Sequence, residues 1–93
     1  MKSIKEIAEM LRDEGYEVIE CKINDEDSLQ IYHKDSNFDY EITYIRNVFF
    51  NKNNNVSEMS ITFLGICNES LFKEIKKTSK KIKNLIKEFN QKG

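Results

Sequence analysis

The sequence predicts an α+β fold: one small domain in the order α-β-β-β-β-α, an antiparallel β-meander with an N-terminal and a C-terminal helix packed on it. Three observations predict it. A capped amphipathic segment opens the chain, several short runs of strand formers with two-residue alternation fill the middle, and a long amphipathic segment closes it. Ninety-three residues suffice for one core and not for two. At that size folding buries only about two-thirds of the unfolded surface. Stability is therefore expected toward the lower part of the usual range of about 5–15 kcal/mol, where a partner or a second copy helps.

Ser3 and Glu6 have the spacing of a capping box. Ile4, Ile7, Ala8 and Leu11 follow at helical spacing with Met10 beside them, and Gly15 sits where a left-handed cap stops a helix, so the first helix is expected over 4–14. Residues 16–23 are rich in strand formers, but the apolar positions change face between Val18 and Ile19, which predicts a bulge or a strand covered on both sides. An acidic turn over 24–27 ends this strand.

Leu29, Ile31 and His33 alternate with Gln30, Tyr32 and Lys34. After the turn 35–37, Phe38, Tyr40, Ile42 and Tyr44 alternate with Asp39, Glu41 and Thr43, a hairpin with one wet face. Val48, Phe49 and Phe50 lead into the polar stretch 51–55, expected to be a mobile loop. Met59, Ile61 and Phe63 alternate with Glu58, Ser60 and Thr62 in a last strand that closes near Gly65. Asn68 is a good N-cap for a helix over 69–90, with Glu69 in its positive first turn. Its stripe is Leu71, Ile75, Thr78, Ile82, Leu85 and Phe89, widened by Phe72 and Ile86.

Charge is balanced overall at -1 but sorted along the chain: residues 69–93 hold eight Lys against three Glu, a balance of +5, which leaves -6 for the first 68. Lys73, Lys76, Lys77, Lys80, Lys83 and Lys87 share the face opposite the apolar stripe. Like charges at i,i+4 cost about 0.2–0.5 kcal/mol each in an isolated helix, so the face is a candidate for phosphate tracking on DNA or RNA. The plainer reading is a solvated helix back, partly balanced by Glu6, Glu9, Asp13 and Glu14 of the first helix. Thirteen Lys against two Arg, with ten Asn, twelve Ile, one Ala and no Pro or Trp, reads as an AT-rich coding sequence and weakens any argument from lysine number. The shortage of Arg also disfavours base-specific readout.

No catalytic pattern emerges. Cys67 precedes a helix N-terminus and His33 is the one histidine, but His33 alternates with Leu29 and Ile31 and completes a strand face. Cys21, His33 and Cys67 lack zinc-ligand spacing. Glu20-Cys21-Lys22 matches a nuclease E-x-K element but lacks a preceding strand to supply the second carboxylate, and the acidic turn lacks the glycine and terminal glutamate of a calcium loop. Gly-x-Gly-x-x-Gly and Gly-Lys-Ser/Thr loops are absent. The expectation is therefore a non-enzymatic chain with no cofactor, no metal and no small-molecule ligand. Two cysteines and no long apolar run point to a cytoplasmic protein outside the membrane.

Among the aromatic residues, Tyr32, Phe49 and Phe50 are the candidates for an exposed sheet face, either stacking bases or anchoring a protein partner. The leading reading is a small binding or regulatory protein that dimerises or engages a larger protein. The alternative is a nucleic-acid-binding module using the lysine face. A small acidic-to-basic α+β chain is similar, in architecture alone, to the compact inhibitors and regulators encoded by mobile elements.

Overall fold

The computed structural model describes residues 2–34, 42–65 and 68–92. Helix α1 (Ile4–Asp13) starts on the expected capping box: the Glu6 N–H donates to Ser3 Oγ and the Ser3 N–H to Glu6 Oε1, each at 3.1 Å. These bonds, the backbone one first, hold the Glu6 carboxyl below its usual range. The helix stops at Gly15, whose φ of 96° only glycine adopts freely. The Gly15 N–H reaches the Arg12 carbonyl and the Tyr16 N–H the Leu11 carbonyl, the paired closure that satisfies the last turn.

Strands β1 (Glu17–Ile23), β2 (Glu26–Lys34), β3 (Ile42–Phe50) and β4 (Val56–Phe63) form one antiparallel sheet in the order β1-β2-β3-β4, and α2 (Glu69–Gln91) follows. The architecture is α+β with the expected α-β4-α order. Among the described residues no helix is long and apolar enough to cross a membrane. The expected strand positions Phe38 and Tyr40 lie outside the described residues, as does Cys67. Strand β3 runs on from Tyr44 through Arg46 to Phe50.

Register assigns the two faces. Val18, Ile31, Arg46 and Ile61 stand opposite one another across the sheet, as do Glu20, Leu29, Val48 and Met59. This inner face receives both helices: Ile7, Ala8 and Leu11 of α1 and Ile82 and Ile86 of α2 form one buried cluster with Val18, Leu29, Ile31 and Val48. Each such aliphatic side chain contributes about 1.5–3 kcal/mol on full burial. A second cluster joins Tyr44, Leu71 and Ile75 near the start of α2. The outer face carries Glu17, Tyr32, Ile45 and Thr62 in one row and Ile19, Gln30, Asn47 and Ser60 in the next.

Two expectations change. β1 pairs with β2 in unbroken register, so the change of face at Val18-Ile19 marks no bulge; Ile19 is 44% exposed on the outer face of an edge strand. The register shifts fall instead at Lys34 and Phe50. Residues 51–55, expected to be a loop unable to bury itself, form a closed turn hydrogen-bonded to the N-terminal segment and to α2. Asn51 Oδ1 accepts from the Asn53 and Asn55 N–H groups, Asn54 Nδ2 donates to the Lys2 carbonyl at 2.8 Å, and Asn90 Nδ2 donates to the Asn54 carbonyl at 2.8 Å. Asn, in φ 56° at Asn54, tolerates the left-handed turn and supplies the bonds that close it.

The β1–β2 hairpin closes through Asn24 (φ 52°) and Asp25 (φ 66°), between the paired residues Ile23 and Glu26. A two-residue loop with both φ positive prefers Asn-Gly. Asp25→Gly is expected to raise stability by about 0.5–1 kcal/mol, seen as a rise of about 2–6 °C in Tm by circular dichroism. An unchanged or lower Tm would mean that the aspartate is not strained there.

Candidate interaction surfaces

A polar network positions α2 on the sheet. Arg46 continues the inward alternation of Tyr44 and Val48 and is fully buried, the largest side chain so enclosed. A buried guanidinium is expensive unless its donors are used. Its Nε–H donates to His33 Nε2 at 3.2 Å, one terminal nitrogen donates to Ser79 Oγ, and the other to the Ile75 carbonyl at 3.4 Å. Its carbon lies 5.9 Å from the centre of the Tyr44 ring, which stacks on His33 at 4.4 Å and 15°. Among the described residues no carboxylate is within 4.0 Å of it. Burial lowers the Arg46 pKa, while the neighbouring Tyr44 phenol opposes that shift. Burial likewise raises the Tyr44 phenol, with Arg46 opposing. The network separates the two apolar clusters, at Thr78 and Ser79 between Ile75 and Ile82.

This network also answers the catalytic reading of His33. Its Nε2 is occupied as an acceptor, and burial first, then Arg46, push its pKa down to about 4. Cys21 carries a free thiol that donates to the Ser28 carbonyl at 3.7 Å and is made less acidic by burial. Glu20 of the E-x-K tripeptide pairs with Arg12 at 3.7 Å, and Lys22 with Asp27 at 3.9 Å. Among the described residues no group of three or more His, Cys, Asp or Glu is placed to hold a metal ion.

Of the aromatic candidates, Tyr32 and Phe49 stand half-buried on the outer face, while Phe50, displaced by the register shift, packs against the inner cluster. Across that face Tyr32 Oη donates to Gln30 Oε1, Gln30 Nε2 to Asn47 Oδ1, and Asn47 Nδ2 to Ser60 Oγ, a polar ladder that shares the face with Ile19, Ile45 and Phe49. A patch that sequence reasoning missed lies at the end of β4. Phe63, Leu64 and Phe72 are 37%, 54% and 52% exposed, and the rings of Phe63 and Phe72 meet edge to face at 6.0 Å. The signal was present in Phe72, which lies at the margin of the apolar stripe of α2. Beside the patch runs β4, whose outer edge has no strand paired to it among the described residues.

Lys73, Lys76, Lys77, Lys80, Lys83 and Lys87 are all exposed on α2. The acids of α1 do not neutralise them at close range: among the described residues no carboxylate is within 4.0 Å of any of the six. Lys83 and Lys87 also line a cleft of about 640 Å³ against the 51–55 turn. The outer sheet face, by contrast, carries Glu17 and Glu58 with Lys34, and Lys34 lies 4.0 Å from Glu17. The aromatic side chains of that face and the lysines of α2 thus occupy opposite layers of the molecule. Compared with known proteins, the chain matches no family model, no curated protein and no solved structure.

Proposed function

We propose that the chain is a cytoplasmic, non-enzymatic binding protein that acts through a protein–protein interface centred on the β4 edge and the Phe63–Leu64–Phe72 patch. The observation that carries the reading is that patch. Three large apolar side chains stand exposed together beside a strand edge that has no strand paired to it among the described residues. An open edge offers a row of backbone donors and acceptors, and the patch offers an apolar anchor, the combination used when an extended strand is added to a sheet. A second copy or a larger protein supplies that strand.

The test pairs oligomeric state with partner capture. Wild-type chain should sediment as a dimer or retain a specific protein from its native extract, and Leu64→Asp/Phe72→Glu should do neither while keeping its Tm. Tyr32→Ala/Phe49→Ala should behave as wild type; loss of association in that variant alone would move the interface to the outer sheet face. A strictly monomeric wild type that retains nothing the Leu64→Asp/Phe72→Glu variant lacks would end the proposal.

A second reading, nucleic-acid binding by the lysine face, draws support from the six exposed lysines, which have no carboxylate at close range among the described residues. It is weakened by the separation of those lysines from the aromatic residues, since single-strand binding sheets combine backbone charge and stacking on one surface. Polarisation with labelled DNA and RNA at about 50 and about 200 mM salt separates the two readings, because phosphate-driven binding weakens steeply over that range.

A further inference from the structure

The cleft between the 51–55 turn and the end of α2 has a composition that no solvated helix back requires. Its walls are the carboxamides of Asn53, Asn55, Asn90 and Gln91, the ammonium groups of Lys83 and Lys87, and one apolar residue, Val56. Among the described residues no carboxylate lines it. Its volume of about 640 Å³ lies within the range of small-ligand sites. We infer that this cleft binds a small phosphomonoester with a hydroxyl-bearing body, the chemistry of a sugar phosphate.

The charge argument comes first. Lys83 and Lys87 are one helical turn apart on one wall, and the like charges repel unless an anion lies between them. A phosphomonoester carries a charge of about -1.5 to -2 near neutral pH and offers three acceptor oxygens, so one group neutralises both ammoniums. Lysine, a point charge, is a common binder of such an oxyanion. The negative end of the α2 dipole, near Gln91, opposes an anion with only about half a unit charge. Two ammoniums outweigh it.

The amide argument sets the rest of the ligand. Carboxamides both donate and accept, which matches hydroxyl groups, whereas a bare phosphate uses only donors. The volume exceeds what a phosphate alone fills. The wall is also prebuilt: Asn90 Nδ2 donates to the Asn54 carbonyl at 2.8 Å and to Asn55 Oδ1 at 3.0 Å, and Asn54 in turn holds the Lys2 carbonyl. Binding therefore requires little ordering of the turn. The cleft opens at the start of β4, and the Phe63–Leu64–Phe72 patch lies at its other end, roughly 20 Å away along the strand. The inference is accordingly independent of the protein-binding reading.

The test is a titration of the isotopically labelled full chain, read by amide chemical shifts. Ribose 5-phosphate should give saturable shifts at Asn53, Asn55, Lys83 and Asn90, and ribose none. Lys83→Gln/Lys87→Gln should weaken binding by about tenfold, while Lys76→Gln/Lys80→Gln, with the same charge change elsewhere on α2, should alter it by less than about twofold. A short oligonucleotide tests the source of the phosphate. If its 5′-phosphorylated form binds these residues more tightly than ribose 5-phosphate, and its unphosphorylated form does not, the ligand is a nucleic-acid end. If neither form does, the ligand is a free metabolite. No saturable shift at these residues up to about 20 mM of any phosphate probe, or equal weakening in both lysine variants, would overturn the inference.

Discussion

Arg46→Ala should cost about 3–5 kcal/mol, more than any exposed substitution in the chain, and leave little of the stability expected for a domain of this size. Two effects add. Truncation empties the space of the largest fully buried side chain at the junction of the two apolar clusters, and His33 Nε2 and Ser79 Oγ lose a donor inside the core. The Ile75 carbonyl loses less, because the helix ladder still uses it. Arg46→Met separates volume from charge. It refills most of the space and removes a desolvated cation, so it should recover at least about 2 kcal/mol of the alanine loss. Urea denaturation of the three proteins reads both quantities. A loss below about 1 kcal/mol in Arg46→Ala would show that the network is not what seats α2, and equal losses in the two variants would assign the effect to hydrogen bonds.

The positions of these groups explain how far the sequence could be read. The α-β4-α order was legible because it rests on local signals: Ser3 with Glu6, Gly15 after Leu11, the two-residue alternation of Leu29 to His33, and the helical stripe from Leu71 to Phe89. The lysine face was legible for the same reason. The Arg46 network was not, since it joins His33, Arg46 and Ser79 from three elements, and a polar residue on an apolar face announces only that a partner must exist. Thr78 and Ser79, between Ile75 and Ile82, were the matching clue on α2. The 51–55 turn was misread in the same way. Asn-rich sequence looks unable to bury itself, yet Asn90, thirty-six residues from Asn54 along the chain, supplies the bond that fixes it. The Phe63–Leu64–Phe72 patch stayed hidden because periodicity assigned Phe72 to the stripe without saying how far the sheet extends beneath it.

Acid should unfold the protein through His33. The ring stacks on Tyr44, meets Tyr16 edge to face at 6.2 Å, and accepts from Arg46 Nε–H through Nε2, so the neutral form carries its proton on Nδ1. A second proton turns that acceptor into a donor facing a donor, beside a buried cation. The pKa in the folded chain, about 4, is thus below the value of 6.5 expected in the unfolded chain. With the folded value depressed, the unfolded state binds more protons between about pH 6.5 and about pH 4, and stability falls as pH falls through that window. The linkage amounts to about 3 kcal/mol by pH 4, with only about 0.4 kcal/mol more lost from this group below it. His33→Gln keeps an acceptor for Arg46 but cannot titrate. Its stability should therefore change less between pH 7 and pH 4 than that of the wild type, by about 3 kcal/mol in urea denaturation. Parallel curves for the two proteins would mean that the ring is protonated at little cost, and that the contact with Arg46 is not what keeps it neutral.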